Sequence, residues 1–224
     1  MKFENKKLLI FDLDGTLINS ALDLALAVNY MLTQLGRDTF DEEVIHSWVG
    51  NGALTLVKRA LSGAREVDES LDEAYVEKAL KIFLDYYEKN LCNATVPYPN
   101  VIETLHALKE KGYILAIVTN KPFPFVSPIL QGLGMDAMFS LILGGDSLPE
   151  KKPHPQPLLH VCERLEIEVE NAVMIGDSKN DILAANAYGM DSVGVTYGYN
   201  YGEDIGVHKP TVIIDDFEKL LKYL

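Results

Sequence analysis

Apolar positions along the chain follow two regimes. Leu8-Leu9-Ile10-Phe11 is a continuous run that stops at Asp12 and is broken at Gly15. A run without alternation suits a strand buried on both faces, so a strand is predicted over Leu8 to Asp12. Further strands are predicted at 113–118, 139–143, 172–175, 192–195 and 211–214. Helical spacing is found up to Lys111 and at 125–133, 157–165, 181–188 and 217–221. Strand alternating with helix is what a doubly wound parallel sheet requires.

The second regime lies between the first strand and residue 97. Asn19 or Ser20 can cap a helix in which Leu24, Ala27, Val28, Met31 and Leu35 share one face, with Gly36 closing it. Helical patterns continue at 42–49, 53–61 and 71–91, the last with Tyr75, Ala79, Ile82, Phe83 and Tyr86 along one side. These Met and aromatic stripes read as core packing, and no strand is predicted here. A βαβ crossover needs only ~30 residues, whereas roughly seventy residues of helix precede the proline-rich joint Val96-Pro97-Tyr98-Pro99-Asn100. The expected architecture is therefore α/β: a doubly wound, Rossmann-like core of residues 1–17 and 97–224, with an inserted all-helical cap domain of residues 18–96.

Composition narrows the classes. Of 224 residues, 48% are hydrophobic, which is enough for a substantial core. Thirty-three acidic against 20 basic residues give a formal charge of −13, which opposes nucleic-acid binding. The two cysteines, Cys92 and Cys162, lack zinc-ligand spacing and are too few for a disulfide framework. No run reaches the ~18 apolar residues of a membrane span, and the first residues lead into a strand without a signal-peptide pattern. A cytoplasmic protein without a membrane partner, monomeric or homodimeric, is expected.

Candidate chemistry collects at the ends of the predicted strands, where ligands bind in open parallel sheets. Asp12 and Asp14 can share one small site if the chain turns at Gly15, where main-chain N–H groups can approach an anion. Two adjacent carboxylates call for a cation such as Mg²⁺, and an Asp beside it can be a nucleophile. An Asp-Gly turn closing a strand would use the same residues. Thr119 and Asn120 follow the second long strand and can serve a phosphoryl group, or simply cap the next helix. Lys152, in Lys151-Lys152-Pro153-His154-Pro155, can act as a fixed charge on phosphate or belong to a surface pair. His154 receives no catalytic part. Asp177 and Asp181 surround a helix start after Gly176, where they can complete a metal shell or cap the helix. Capping alone does not require this combination at four strand ends in order.

These residues together resemble the four motifs of the haloacid dehalogenase superfamily: Asp12-Leu13-Asp14-Gly15-Thr16, Thr119, Lys152 before proline, and Gly176-Asp177 with Asp181. The helical insertion is similar to that family's cap between its first two motifs. The resemblance implies Asp12 as nucleophile, Asp14 as general acid/base, and Thr119 and Lys152 as holders of the phosphoryl group. It also implies Mg²⁺, with Mn²⁺ as an alternative, on Asp12, the Asp14 main-chain carbonyl and Asp177, supported by Asp181. Asp14 favours phosphate over carbon chemistry, because displaced halide needs no proton.

Within the superfamily, Asn19-Ser20, Trp48-Val49-Gly50-Asn51-Gly52, Thr119-Asn120-Lys121 and Lys152-Pro153-His154-Pro155 resemble the bacterial phosphoglycolate phosphatase family. The implied activity is hydrolysis of a small phosphoester, with 2-phosphoglycolate as the expected substrate. The helix start at Gly50-Asn51-Gly52 could receive the substrate carboxylate, with Asn51 in a binding role and Lys58, Arg59 or Lys121 adding charge. A phosphatase of a sugar phosphate or pyrophosphate, a sugar phosphomutase and a non-catalytic binding module are the competing readings.

Overall fold

A computed structural model describes residues 3–224. The chain begins with β1 (Leu8–Phe11) and β2 (Ile18–Asn19), then four helices: α1 (Ala21–Gln34), α2 (Glu42–His46), α3 (Ala53–Ser62) and α4 (Glu73–Tyr87). It returns through β3 (Val96–Pro97), α5 (Val101–Glu110), β4 (Ile114–Val118), α6 (Phe123–Gly132) and β5 (Leu141–Leu143). α7 (Gln156–Leu165), β6 (Ala172–Gly176), α8 (Lys179–Asn186), β7 (Asp191–Val195) and β8 (Val212–Ile214) complete it, followed by a 3-10 segment at Phe217–Lys222. Among the described residues, no helix is long and apolar enough to cross a membrane.

Six strands form one parallel sheet in the order β5-β4-β1-β6-β7-β8. The expected α/β class with a parallel sheet holds. β1 is central because all four of its residues are apolar and fully buried: Leu8 and Ile10 join one core layer, Leu9 and Phe11 the other. Strand order reverses there, with β4 and β5 on one side and β6 to β8 on the other, so the carboxyl end of β1 opens onto the crevice where such sheets bind ligands.

Several element limits differ from the sequence expectation, each for a local reason. Asp12 leaves the strand although its N–H still donates to the Ile175 carbonyl at 3.0 Å. α8 spans Lys179–Asn186 rather than 181–188, because Ser178 is its N-cap. The buried face of α4 is Val76, Ala79, Phe83 and Tyr87, rotated from the expected stripe, and Tyr86 instead stacks on Tyr30. The expected final helix is the 3-10 segment.

No strand was expected between residues 18 and 96, yet β2 and β3 form an antiparallel pair where the chain leaves and re-enters the sheet unit. Two-residue strands are too short to carry a period, so only the meeting of the two crossings sets them. Asp23, buried in the first turn of α1, holds the same crossing. Its carboxylate accepts the N–H of Ala94 at 3.0 Å, the N–H of Thr95 at 2.8 Å and the Thr95 hydroxyl at 2.6 Å. Asp23→Ala leaves these donors in a space without an acceptor, and urea unfolding is expected to show a loss of about 2–4 kcal/mol; a change within a few tenths would contradict this account of the crossing.

Candidate active site

Each side chain of the site comes from a strand end or the loop beside it. Asp12 follows β1, Thr119 follows β4, Asp177 follows β6, Asp181 lies in the first turn of α8, and Lys152 precedes α7. The Lys152 ammonium is fully buried, 3.0 Å from Asp12 Oδ1 and 2.6 Å from Asp181 Oδ1. Asp12 Oδ1 also accepts the Leu13 N–H at 2.7 Å. Both contacts fall on one carboxylate oxygen. Asp177 Oδ1 accepts the Thr16 hydroxyl at 2.8 Å, and its Oδ2 accepts the Tyr199 N–H at 2.7 Å. Asp181 Oδ2 accepts both the N–H and the hydroxyl of Ser178 at 3.0 Å, so capping and site-building are done by one side chain.

One oxygen from each of Asp12, Asp177 and Asp181 lies within 4.8 Å of the others. Burial pushes Asp12 up to about 7 from an ordinary 3.8, with Lys152 opposing the rise and Asp181 adding to it. Asp177 is raised well above the ordinary carboxylate value by burial and by the charges of Asp181 and Asp12. One ammonium cannot balance three carboxylates, two of them buried and Asp12 half-buried. An all-oxygen donor set with surplus negative charge fits a hard divalent cation. Gly15, at φ +87°, turns the chain against this cluster, and a Cβ there would run into the Asp177 carboxylate.

Asp14 stands apart from the cluster. Its Oδ1 accepts the Ser20 hydroxyl at 2.5 Å, and the Lys121 ammonium reaches its two oxygens at 2.9 and 3.1 Å. Lys121 Nζ also donates to the Tyr87 hydroxyl at 2.7 Å, at the end of α4. Burial works against the charge on Lys121, but Asp14 and Tyr87 outweigh it and hold the ammonium above its usual range. Burial pushes the Tyr87 hydroxyl up to about 12.

The cavity joining these groups is lined by Asp12, Asp14, Thr119 and Lys121 below, and by helices α1, α3 and α4 above through Leu24, Ala53, Leu56, Phe83 and Tyr87. Thr119 faces it while its Oγ1 accepts the Lys121 N–H at 3.1 Å. Asn120 lines the cavity as well, with its amide NH₂ donating to the carbonyls of Gly50 at 3.1 Å and Lys152 at 2.9 Å. It thereby bridges the helical unit to the lysine loop at the cavity wall.

Asn51 is not among the residues lining that cavity. Its Oδ1 accepts the Tyr201 hydroxyl at 2.6 Å, its carbonyl accepts from Lys151 at 2.9 Å, and it lines a neighbouring groove. Gly52 and Ala53 reach the cavity in its place, with Gly52 at φ +85° starting α3 so close to the Asn120 carbonyl that a Cβ would lie 2.8 Å from it. Arg59 is drawn to the carbonyls of Trp48 and Arg65 at 2.6 and 2.9 Å.

Tyr87 and three tyrosines of one loop have no part in the sequence expectation, which includes Thr16 and Ser20 only within the quoted motifs and as a helix cap. Tyr197 donates to the Thr16 carbonyl at 2.9 Å, the Tyr199 hydroxyl accepts the Ser20 N–H at 2.9 Å, and Tyr201 holds Asn51. Their spacing of two along 197–201 was the available signal.

A family model described as haloacid dehalogenase-like hydrolase matches residues 9–195, and the chain belongs to that family. A phosphoglycolate phosphatase from Colwellia psychrerythraea is 55% identical over 221 residues, covering 99% of this chain and 98% of the relative. A phosphoglycolate phosphatase from Haemophilus influenzae is 49% identical over 97% of this chain and 98% of its own. The crystal structure of a predicted phosphoglycolate phosphatase from Haemophilus somnus superposes with a TM-score of 0.92 at 47% identity, covering 97% of each chain.

The charge imbalance sets a pH dependence. Between pH 3.8 and 7 the folded chain holds a proton on Asp12 that the unfolded chain has lost, so the cation-free protein loses stability as pH rises through that window. A divalent cation held by the same oxygens would take the place of that proton. Its addition should raise the midpoint of thermal unfolding more at about pH 8 than at about pH 5; equal shifts at both would contradict the assignment of the cluster.

Proposed function

We propose that this protein is a Mg²⁺-dependent phosphatase that hydrolyses 2-phosphoglycolate to glycolate and inorganic phosphate through an aspartyl phosphate on Asp12. The observation that carries the reading is the separation of two carboxylates two residues apart: Asp12 belongs to the Lys152 cluster and Asp14 to a different set of partners, yet both face one cavity. Full-length relatives named phosphoglycolate phosphatase support the substrate.

With both recorded contacts of Asp12 on Oδ1, Oδ2 is the oxygen left to attack phosphorus. As the Asp12–phosphorus bond forms, the ester oxygen departs with the electron pair and takes a proton from Asp14. In the second step Asp14 accepts a proton from water, the water oxygen bonds to phosphorus, and the phosphorus–Asp12 bond breaks to release phosphate. Thr119 and Lys152 hold the phosphoryl oxygens throughout. Mg²⁺, or Mn²⁺ in its place, would be held by Asp12, the Asp14 carbonyl and Asp177, with Asp181 supporting, and supplies positive charge to the phosphoryl group. Residues 18–96 act as the cap over a core of 1–17 and 97–224, and their apolar inner face keeps bulk water from the reacting centre. The setting is the cytoplasm, in keeping with two free thiols.

Phosphate release from a panel of phosphoesters, with Mg²⁺ and with a chelator, tests this. 2-Phosphoglycolate should be the preferred ester and the chelator should abolish turnover; a sugar phosphate or pyrophosphate turned over far better would displace the assignment. Asp12→Asn should lower kcat by roughly 10⁴-fold or more. Asp14→Asn should cost about 10²- to 10⁴-fold on 2-phosphoglycolate but far less on p-nitrophenyl phosphate, whose leaving group needs no proton. Equal losses on both esters would remove Asp14 from proton transfer.

A further inference from the structure

The mechanism assigns no part to Lys121, although it is buried and points a cation into the cavity. Among the described residues lining that cavity, it is the one cation. The nearby alternatives are committed elsewhere: Lys152 to Asp12 and Asp181, Arg59 to two main-chain carbonyls, and Lys151 to the Asn51 carbonyl. A carboxylate entering a cavity walled by Leu24, Leu56 and Phe83 needs a charged partner, because an isolated buried anion is strongly disfavoured.

We propose that Lys121, steadied by the Tyr87 hydroxyl, binds the carboxylate of the substrate and so selects a phosphorylated hydroxy acid over a neutral phosphoester. This rests on the phosphoglycolate reading and deepens it. The distances suit the role. On the proposed mechanism Asp14 reaches the ester oxygen, and Lys121 Nζ lies 2.9 Å from Asp14 Oδ1. In 2-phosphoglycolate one carbon separates the ester oxygen from the carboxyl carbon, which places the carboxylate oxygens about 3 Å from the ester oxygen at ordinary bond lengths. A cation in contact with Asp14 therefore stands where that carboxylate must arrive.

An ammonium has three donors, and here they serve only the Asp14 carboxylate and Tyr87. On binding, Lys121 exchanges Asp14 for the substrate carboxylate. Asp14, left with Ser20, is freed toward the ester oxygen. Tyr87 belongs to α4 and Lys121 to the loop after β4, so the binding group is complete only when helical unit and sheet unit meet. The tyrosine ring is fixed by Phe83 at 5.7 Å and by Phe125 at 5.4 Å between centroids.

The test compares kcat/KM for 2-phosphoglycolate and for ethyl phosphate, a similar ester without the carboxylate, in the full-length Mg²⁺-loaded enzyme. Whatever both esters lose together reports the hold of Lys121 on Asp14; the ratio between them reports carboxylate recognition. Lys121→Met should reduce the preference for 2-phosphoglycolate by roughly 10- to 100-fold, mainly through KM. Tyr87→Phe keeps the ring packing and should reduce it by about 3- to 10-fold, which preserves the test should the first variant fold poorly. A preference unchanged in both variants overturns the proposal. Wild-type enzyme that ignores 2-phosphoglycolate but cleaves another ester overturns the substrate assignment itself and the role of Lys121 with it, a result seen before any substitution is made.

Discussion

A buried ammonium held between two carboxylates, with a third alongside, governs this molecule. Lys152 is in contact with Asp12 and Asp181, and Asp177 adds a further charge to the same enclosed volume. Taking such groups out of water costs several kcal/mol each unless they compensate one another. Lys152 is therefore as much a condition for assembling the strand ends as a participant in chemistry. The compensation is incomplete, and the deficit is what suits the cluster to a divalent cation and a phosphoryl group.

The neighbouring carboxylate shows how two residues in one short turn are given different work. Leu13, between Asp12 and Asp14, is fully buried in the core and fixes the turn from below. Asp12 is thereby held with Lys152, while Asp14 meets Lys121, Ser20 and, through the lysine, Tyr87. The proposed roles, attack by Asp12 and proton transfer by Asp14, require different charge environments, and the two ion-pair groups supply them.

The centre of the sheet was legible because β1, β4 and β6 are continuous apolar runs. Asp12, Thr119, Lys152 and Asp177 were legible because each interrupts such a run or stiffens the loop beside it. What the sequence hid depends on contacts between distant segments. Lys121 and Tyr87 are 34 positions apart and meet across two units, so neither carries a local mark of the other. Asn51 stands at a suggestive place, yet its side-chain oxygen is taken by Tyr201, and the amide NH₂ of Asn120 by two main-chain carbonyls, partners that only the folded arrangement brings near. The buried stripe of α4 was offset because aromatic residues at 86 and 87 satisfy the same spacing, and packing chose Tyr87.

The tyrosine loop after β7 has unequal attachments. Tyr197 and Tyr199 fasten to Thr16 and Ser20, close to where the chain passes between units, whereas Tyr201 fastens to Asn51 at the start of the roof. That outer attachment is one of several at the same place, since the Gly50 carbonyl accepts from Asn120 and Asn180 and the Asn51 carbonyl from Lys151. The loop is thus a staple whose three feet gather the turn after β1, the start of α1 and the start of the roof onto one segment, the same segment whose Tyr199 N–H holds Asp177 in place.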